Sequence, residues 1–79
     1  MKKRPVKIGV EYENDREAVR LVLDIFERNG RETVLFKQVK KPEFALGPAE
    51  GTTGTMPLSG FKEWARRVYD KNRIEVEDV

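Results

Sequence analysis

Apolar and polar positions alternate at the start of the chain, with Val6, Ile8, Val10 and Tyr12 on one face and Lys7, Gly9 and Glu11 on the other. A period of two, carried by β-branched and aromatic residues, predicts a strand with one face in a core. Asn14 then offers a helix N-cap, and Glu17 stands three residues on, as the acidic partner of a capping box would. Asp15 and Glu17 also place negative charge where a helix dipole favours it. Ala18, Leu21, Val22 and Ile25 form one helical stripe, widened by Val19, Leu23 and Phe26. The spacing predicts an amphipathic helix. It is expected to close with Arg28 ahead of Asn29-Gly30, where glycine suits the left-handed residue that follows a helix.

Arg31 to Lys40 reads as a second strand, in which Val34 and Phe36 face one way and Leu35 and Val39 the other. Pro42 stops it. Residues 41–57 hold three of the four prolines and three of the six glycines, the composition of a loop. A structureless stretch of that length is unusual in a small domain, so a short edge strand is expected inside it, at Glu43–Leu46 or Thr52–Met56. Ser59 offers a cap for a second helix, with Phe61, Trp64, Ala65, Val68 and Tyr69 as its core-facing stripe. Lys62, Arg66, Arg67 and Lys71 fill its other face, and Asn72 ends it. Ile74-Glu75-Val76-Glu77 alternates into a final strand. The order strand, helix, strand, short edge strand, helix, strand predicts an α+β two-layer sandwich of ferredoxin-like type. An antiparallel sheet of three to four strands would carry both helices on one face, with the final strand beside the first. Lys7, Glu11, Glu75 and Glu77 would share the outer face.

Composition narrows the chemistry. The 79 residues are read as one domain, 1–79, with a basic tail over 1–5, and contain neither Cys nor His. Disulfide staples, Cys/His zinc sites, thiol nucleophiles and His-based triads are thereby excluded. Sixteen Lys and Arg against fourteen Asp and Glu give a net charge of +2, too small an excess to make a polyanion binder unless the cations cluster. Met1-Lys2-Lys3-Arg4 has the charge of a signal-peptide start, but no apolar segment follows it. The longest apolar runs, Leu21-Val22-Leu23 and Val34-Leu35-Phe36, are three residues each, against roughly 20 needed to span a bilayer. A soluble, cytoplasmic protein is expected.

Three groups of residues are candidates for chemistry. The loop Gly47-Pro48-Ala49-Glu50-Gly51-Thr52-Thr53-Gly54-Thr55 has the wrong glycine spacing for a phosphate loop and no lysine after it, so it reads as a turn-rich connection. Glu11, Glu13 and Asp15, with Glu75, Glu77 and Asp78, supply hard oxygen ligands, yet nothing in their spacing makes them converge. They read as helix-start and strand-end charges, and no metal or other cofactor is expected. Lys40 and Lys41, with Arg66 and Arg67, would make a phosphate-tracking patch if the fold brought them together. Against this, Phe61, Trp64 and Tyr69 lie on a core stripe rather than free for bases to stack on. No nucleophile has a recognisable base partner, so no enzymatic activity is expected.

The stretch Ile8–Arg16, with the amphipathic segment and Asn29-Gly30 after it, resembles the start of small regulatory ligand-binding domains of the ACT type. Glu17-Ala18 stands where those domains usually have a Pro-Gly or similar turn, and no functional residue is carried across. The leading expectation is therefore a non-enzymatic interaction module that binds another protein chain, or its own copy as a homodimer, through a sheet edge at Val34, Leu35, Phe36 and Val39. Nucleic-acid binding through Lys40, Lys41, Arg66 and Arg67 is the alternative.

Overall fold

Asn29 and Gly30 both have positive φ, 53° and 78°. Two consecutive left-handed residues make a type I′ turn, whose twist matches that of a two-stranded hairpin. In a computed structural model that describes residues 6–45 and 47–69, the turn joins β2 (Val19–Arg28) to β3 (Arg31–Lys40), ten residues each. The register runs from Arg28 opposite Arg31 to Val19 opposite Lys40. The helix expected over residues 15–28 is thus a strand. The β3 boundaries match the sequence reading.

Two irregularities explain how a helix-like spacing becomes a strand. The register shifts between Val22 and Asp24, leaving Leu23 as an extra residue, and between Val19 and Arg20, leaving Val39 extra on β3. Such bulges add a residue and re-aim those that follow. Arg20, Val22 and Ile25 therefore share the inner face, while Leu21 and Leu23 turn outward. Asn14 does accept backbone N–H groups, but as an Asx turn: its Oδ1 takes bonds from Arg16 N and Ala18 N, both at 3.0 Å. Glu17 is left-handed, with φ 66°. The supposed capping box is a hairpin corner between β1 (Glu11–Glu13) and β2.

The remaining elements are short. β4 (Thr53–Pro57) returns along β3, α1 (Leu58–Trp64) follows without a break, and β5 (Arg67–Val68) lies against β1. All five strands form one antiparallel sheet in the order β4-β3-β2-β1-β5. The architecture is a five-stranded antiparallel sheet with one helix among the described residues, not a ferredoxin-like sandwich with two helices. The first strand is shorter than Val6–Tyr12, and Ile8 is 57% exposed rather than inward. Of the two positions expected for a strand within 41–57, the one near Thr52–Met56 is occupied. The second helix ends six residues after Ser59's neighbour Leu58, because Ala65 is already extended and Arg66 N donates to Glu13 O across to β1. The expected strand at Ile74–Glu77 lies outside the described residues.

The core lies between the inner face and α1. Tyr12, Val22, Val34, Phe36 and Phe61 are buried together, with Val6, Val10, Ile25, Met56, Leu58, Trp64 and Ala65 packed around them. Phe61 is its centre: its ring meets Tyr12 edge-on at 5.8 Å and tilts against Trp64 at 5.4 Å and Phe36 at 6.2 Å. Such aromatic contacts contribute about 0.5–1.5 kcal/mol each beyond area burial. Both the helix and residues 47–48 are placed on this inner side, since Gly54 lies against the Phe36 ring and Pro48.

Candidate functional site

The sheet has two edges, and the chain treats them differently. β5 is two residues long and its outer flank carries charge. Arg67 donates to Glu13 Oε2 at 2.9 Å and to Asp15 Oδ1 at 2.6 Å, and Arg66 Nε pairs with Asp15 Oδ2 at 3.3 Å. These carboxylates, Asp15 first and then Glu13, raise the Arg67 pKa above its ordinary value. A short, charged edge strand is a poor template for another chain.

The β4 edge has none of this protection along Thr53-Gly54-Thr55-Met56, which carries no charge and no bulge; only Pro57 closes it. The direction of its peptide groups follows from the register. Gln38 N donates to Thr52 O at 2.8 Å, and the paired residues continue as Phe36 with Gly54 and Val34 with Met56. Hydrogen-bonded pairs alternate along an antiparallel ladder. Gly54 and Met56 therefore spend their peptide groups on β3, and Thr52 its carbonyl, its N–H going to Ala49 O at 3.1 Å, whereas Thr53 and Thr55 turn N–H and C=O away from the sheet. Their side chains stand on the outer face, Thr53 beside Lys37 and Thr55 beside Leu35.

That outer face is the one without a helix. Glu11, Leu21, Lys37 and Thr53 form one row across it, and Leu35 and Thr55 part of the next. Leu23, at the bulge, is 39% exposed. A shallow depression near one end is lined by Glu11, Leu21, Lys37, Val39, Glu50 and Gly51. The face mixes apolar and charged groups. Among the described residues no group of three or more acidic side chains is placed to hold a metal ion. Glu75, Glu77 and Asp78 lie outside the described residues.

Arg20 is the unexpected group. It is 7% exposed, on the inner face, with its guanidinium centred 4.4 Å from the rings of both Phe36 and Trp64. Nε donates to Gln38 Oε1 at 2.9 Å, and Nη1 lies 3.3 Å from Met56 Sδ. Gln38, fully buried, passes its amide on to Lys40 O at 2.9 Å. No carboxylate pairs with Arg20 among the described residues. Burial pushes its pKa below the ordinary arginine value. Nothing in the sequence singled out Arg20. Its signal was a lone cation inside the apolar run Ala18–Leu23.

The residues expected to bind are placed as follows. Val34, Leu35 and Phe36 lie where β3 pairs with β2 on one side and β4 on the other, so their backbone is not an open edge; Val34 and Phe36 are core. Val39 is the extra residue of the bulge, beyond the paired part of β4. Sequence alone placed the edge on the more apolar strand, but apolar residues on both faces mark an interior strand as readily. The fold brings Arg67 and Lys40 into one row, Arg67–Glu13–Val19–Lys40, three strand spacings or about 14 Å apart. Glu13 stands between them. Lys41 points its N–H to Glu50 Oε2 at 2.9 Å, and the loop Gly47–Thr55 closes through Thr52 and Ala49 rather than forming an anion cradle. In the segment 15–28, whose helix the ACT-type resemblance needs, Val19–Arg28 is β2. No helix among the described residues is long and apolar enough to cross a membrane. No family model, curated protein or solved structure matches the chain.

Proposed function

We propose that the chain is a protein-interaction module that accepts an extended segment of another chain on the outer edge of β4. The observation that carries this reading is the contrast between the two edges: β5 is guarded by Arg66, Arg67, Glu13 and Asp15, while Thr53 and Thr55 leave their peptide groups open in an uncharged strand. An extended peptide gains main-chain hydrogen bonds by adding to such an edge. No enzymatic step is part of this reading. The test is a photo-cross-linking residue placed at Thr55 and, as a control, at Arg16 in the β1–β2 corner. Protein adducts from position 55 that disappear when Thr53 is replaced by lysine support it. Adducts that are equal from both positions, or none from position 55, refute it.

Nucleic-acid binding through Lys40, Lys41, Arg66 and Arg67 draws on one observation, the shared row of Arg67 and Lys40. It is the weaker reading because Arg66 and Arg67 already hold carboxylates, which phosphates would have to displace. Titration with short single- and double-stranded oligonucleotides at low salt decides the matter. Salt-sensitive binding that is lost in Arg66→Ala/Arg67→Ala would put this reading first.

A further inference from the structure

The β4 edge has a property that a general docking strand lacks: it is complementary to itself. Its outward peptide groups belong to Thr53 and Thr55, placed symmetrically about Gly54. If a second β4 approaches antiparallel with Gly54 opposite Gly54, Thr53 of one copy faces Thr55 of the other. Each threonine then gives one hydrogen bond and takes one, about four across the seam, and every outward group of the pair is used. Shifting the register by two residues puts either Thr53 opposite Pro57, which has no N–H, or Thr55 opposite Gly51, whose N–H already goes to Gln38 O, so in either slip a threonine carbonyl loses its donor. The strand therefore specifies one register.

We infer that the occupant of this edge is a second copy of the same chain, joined as a two-fold dimer through β4 with Gly54 at the centre. This rests on the edge reading proposed above and adds the partner and the pairing. The two five-stranded sheets become one continuous sheet. Thr53 and Thr55 meet on the outer face, a cross-strand pair of the kind that stabilises sheets. On the inner face Gly54 meets Gly54, where the absence of a side chain already lets Phe36 and Pro48 approach: a Cβ at this position would lie 3.1 Å from each. No like charges stand opposite each other between residues 52 and 56. α1 packs back onto β3 and β4, on the inner face.

Two short strands bury little surface, so the association belongs with weak interfaces and shows at micromolar concentrations or above. The chain has no cysteine, which makes the register directly testable. Chains carrying Thr53→Cys and Thr55→Cys are mixed in equal amounts and oxidised. The inference expects the mixed disulfide well beyond its statistical yield, because residue 53 faces residue 55, and it expects Thr53→Cys alone to cross-link poorly. Sedimentation velocity on the unmodified protein should show a concentration-dependent dimer that is lost in Thr55→Pro. That substitution spares the fold, since the N–H of Thr55 is not bonded to β3; an unchanged unfolding midpoint checks this, and Thr55→Lys supplies an independent block. A protein that remains monomeric to millimolar concentration refutes self-pairing. If position 55 then still cross-links a different protein, the edge reading stands without it. A dimer indifferent to both Thr55→Pro and Thr55→Lys, or a statistical disulfide pattern, refutes the β4 seam.

Discussion

Arg20 is the residue whose replacement says most about what holds this sheet together. Three variants separate its contributions. Arg20→Met keeps the stem and its packing but removes the charge, the flat contact with Phe36 and Trp64 at 4.4 Å, and the 2.9 Å bond to Gln38. The two ring contacts are worth about 0.5–2 kcal/mol each in a desolvated setting. Leaving the Gln38 oxygen buried without a donor costs about 1–3 kcal/mol. Against these losses stands the cost of holding a guanidinium out of water with no carboxylate beside it, which is several kcal/mol for an isolated ion. The balance predicts a net loss of about 2 kcal/mol for Arg20→Met. Arg20→Lys should lose more, because an ammonium retains the desolvation cost but cannot lie flat between two rings. Arg20→Met/Gln38→Leu should recover the part of the loss that comes from the stranded Gln38 oxygen, less the bond from the Gln38 amide to Lys40 O that it also removes. Urea unfolding followed by Trp64 fluorescence reads all three, because Trp64 is the single tryptophan and touches the guanidinium. An Arg20→Lys variant as stable as the parent would refute the reasoning: charge alone would then suffice, and an anionic partner would have to be supplying it.

Phe61→Ala removes the fully buried ring on which Tyr12, Phe36 and Trp64 converge, and a loss of about 3–5 kcal/mol is expected. In a domain this small that is most of the total, so circular dichroism at room temperature should show a largely unfolded chain. Gly30→Ala meets no neighbour, because nothing lies within 4 Å of the added Cβ, so its expected loss of about 1–2 kcal/mol is purely the cost of a left-handed alanine. An unchanged thermal midpoint would show that the hairpin corner is not the turn described. Arg67→Ala should speed amide hydrogen exchange at Arg66 and Tyr69, whose N–H groups bond to Glu13 and Glu11, and leave Val22 protected. Equal acceleration at Val22 would mean that β5 docking is coupled to the whole sheet.

How far the sequence could be read depended on what each signal excludes. β3 was legible end to end because Thr33, Val34 and Val39 are β-branched and Pro42 follows. The inner contacts of Phe61, Trp64 and Ala65 were legible as a stripe, since three residues at that spacing suffice for one short helix. β2 was not, and the reason is the bulge at Leu23. Without it, Val22 and Ile25 would face opposite sides of a strand, so their three-residue spacing argues for a helix unless a bulge is allowed. Asn29-Gly30 carried the missing information. A left-handed glycine ends a helix, but an Asn-Gly pair flanked by Phe26 and Val34 is equally the turn of a hairpin, and β-branched Val19, Val22 and Ile25 favour the second. β5 had no local signal. Arg67-Val68 continues the helical stripe, and pairing with β1 outweighs it through Glu11, Glu13 and Asp15.

The same competition decides where this molecule can act. Its large aromatic groups are spent inside: Tyr12, Phe36 and Phe61 are buried, and Trp64 stacks on Arg20. Phe26 and Tyr69 are half-buried outside that cluster, Phe26 with the Arg28 guanidinium 5.4 Å from its ring, and Phe44, at 90% exposed, is a single ring in the loop after Pro42 with no second ring or cation beside it among the described residues. Two of the four cations first suspected of tracking phosphate are held by carboxylates, and Lys40 sits across Glu13 from Arg67. What remains outside is backbone. Thr53 and Thr55 are the positions where the sheet has further hydrogen bonds to make, and a partner gains those bonds whatever its side chains. Specificity must then come from register, and the register is set by Gly54 in the middle and by Pro57 at the end. Replacing Pro57 by an ordinary residue restores an N–H there and makes the slipped pairing as good as the centred one. Pro57→Ala should therefore blur the preference for mixed Thr53/Thr55 disulfides without weakening the dimer; a preference unchanged in that background would show that something other than this edge selects the partner.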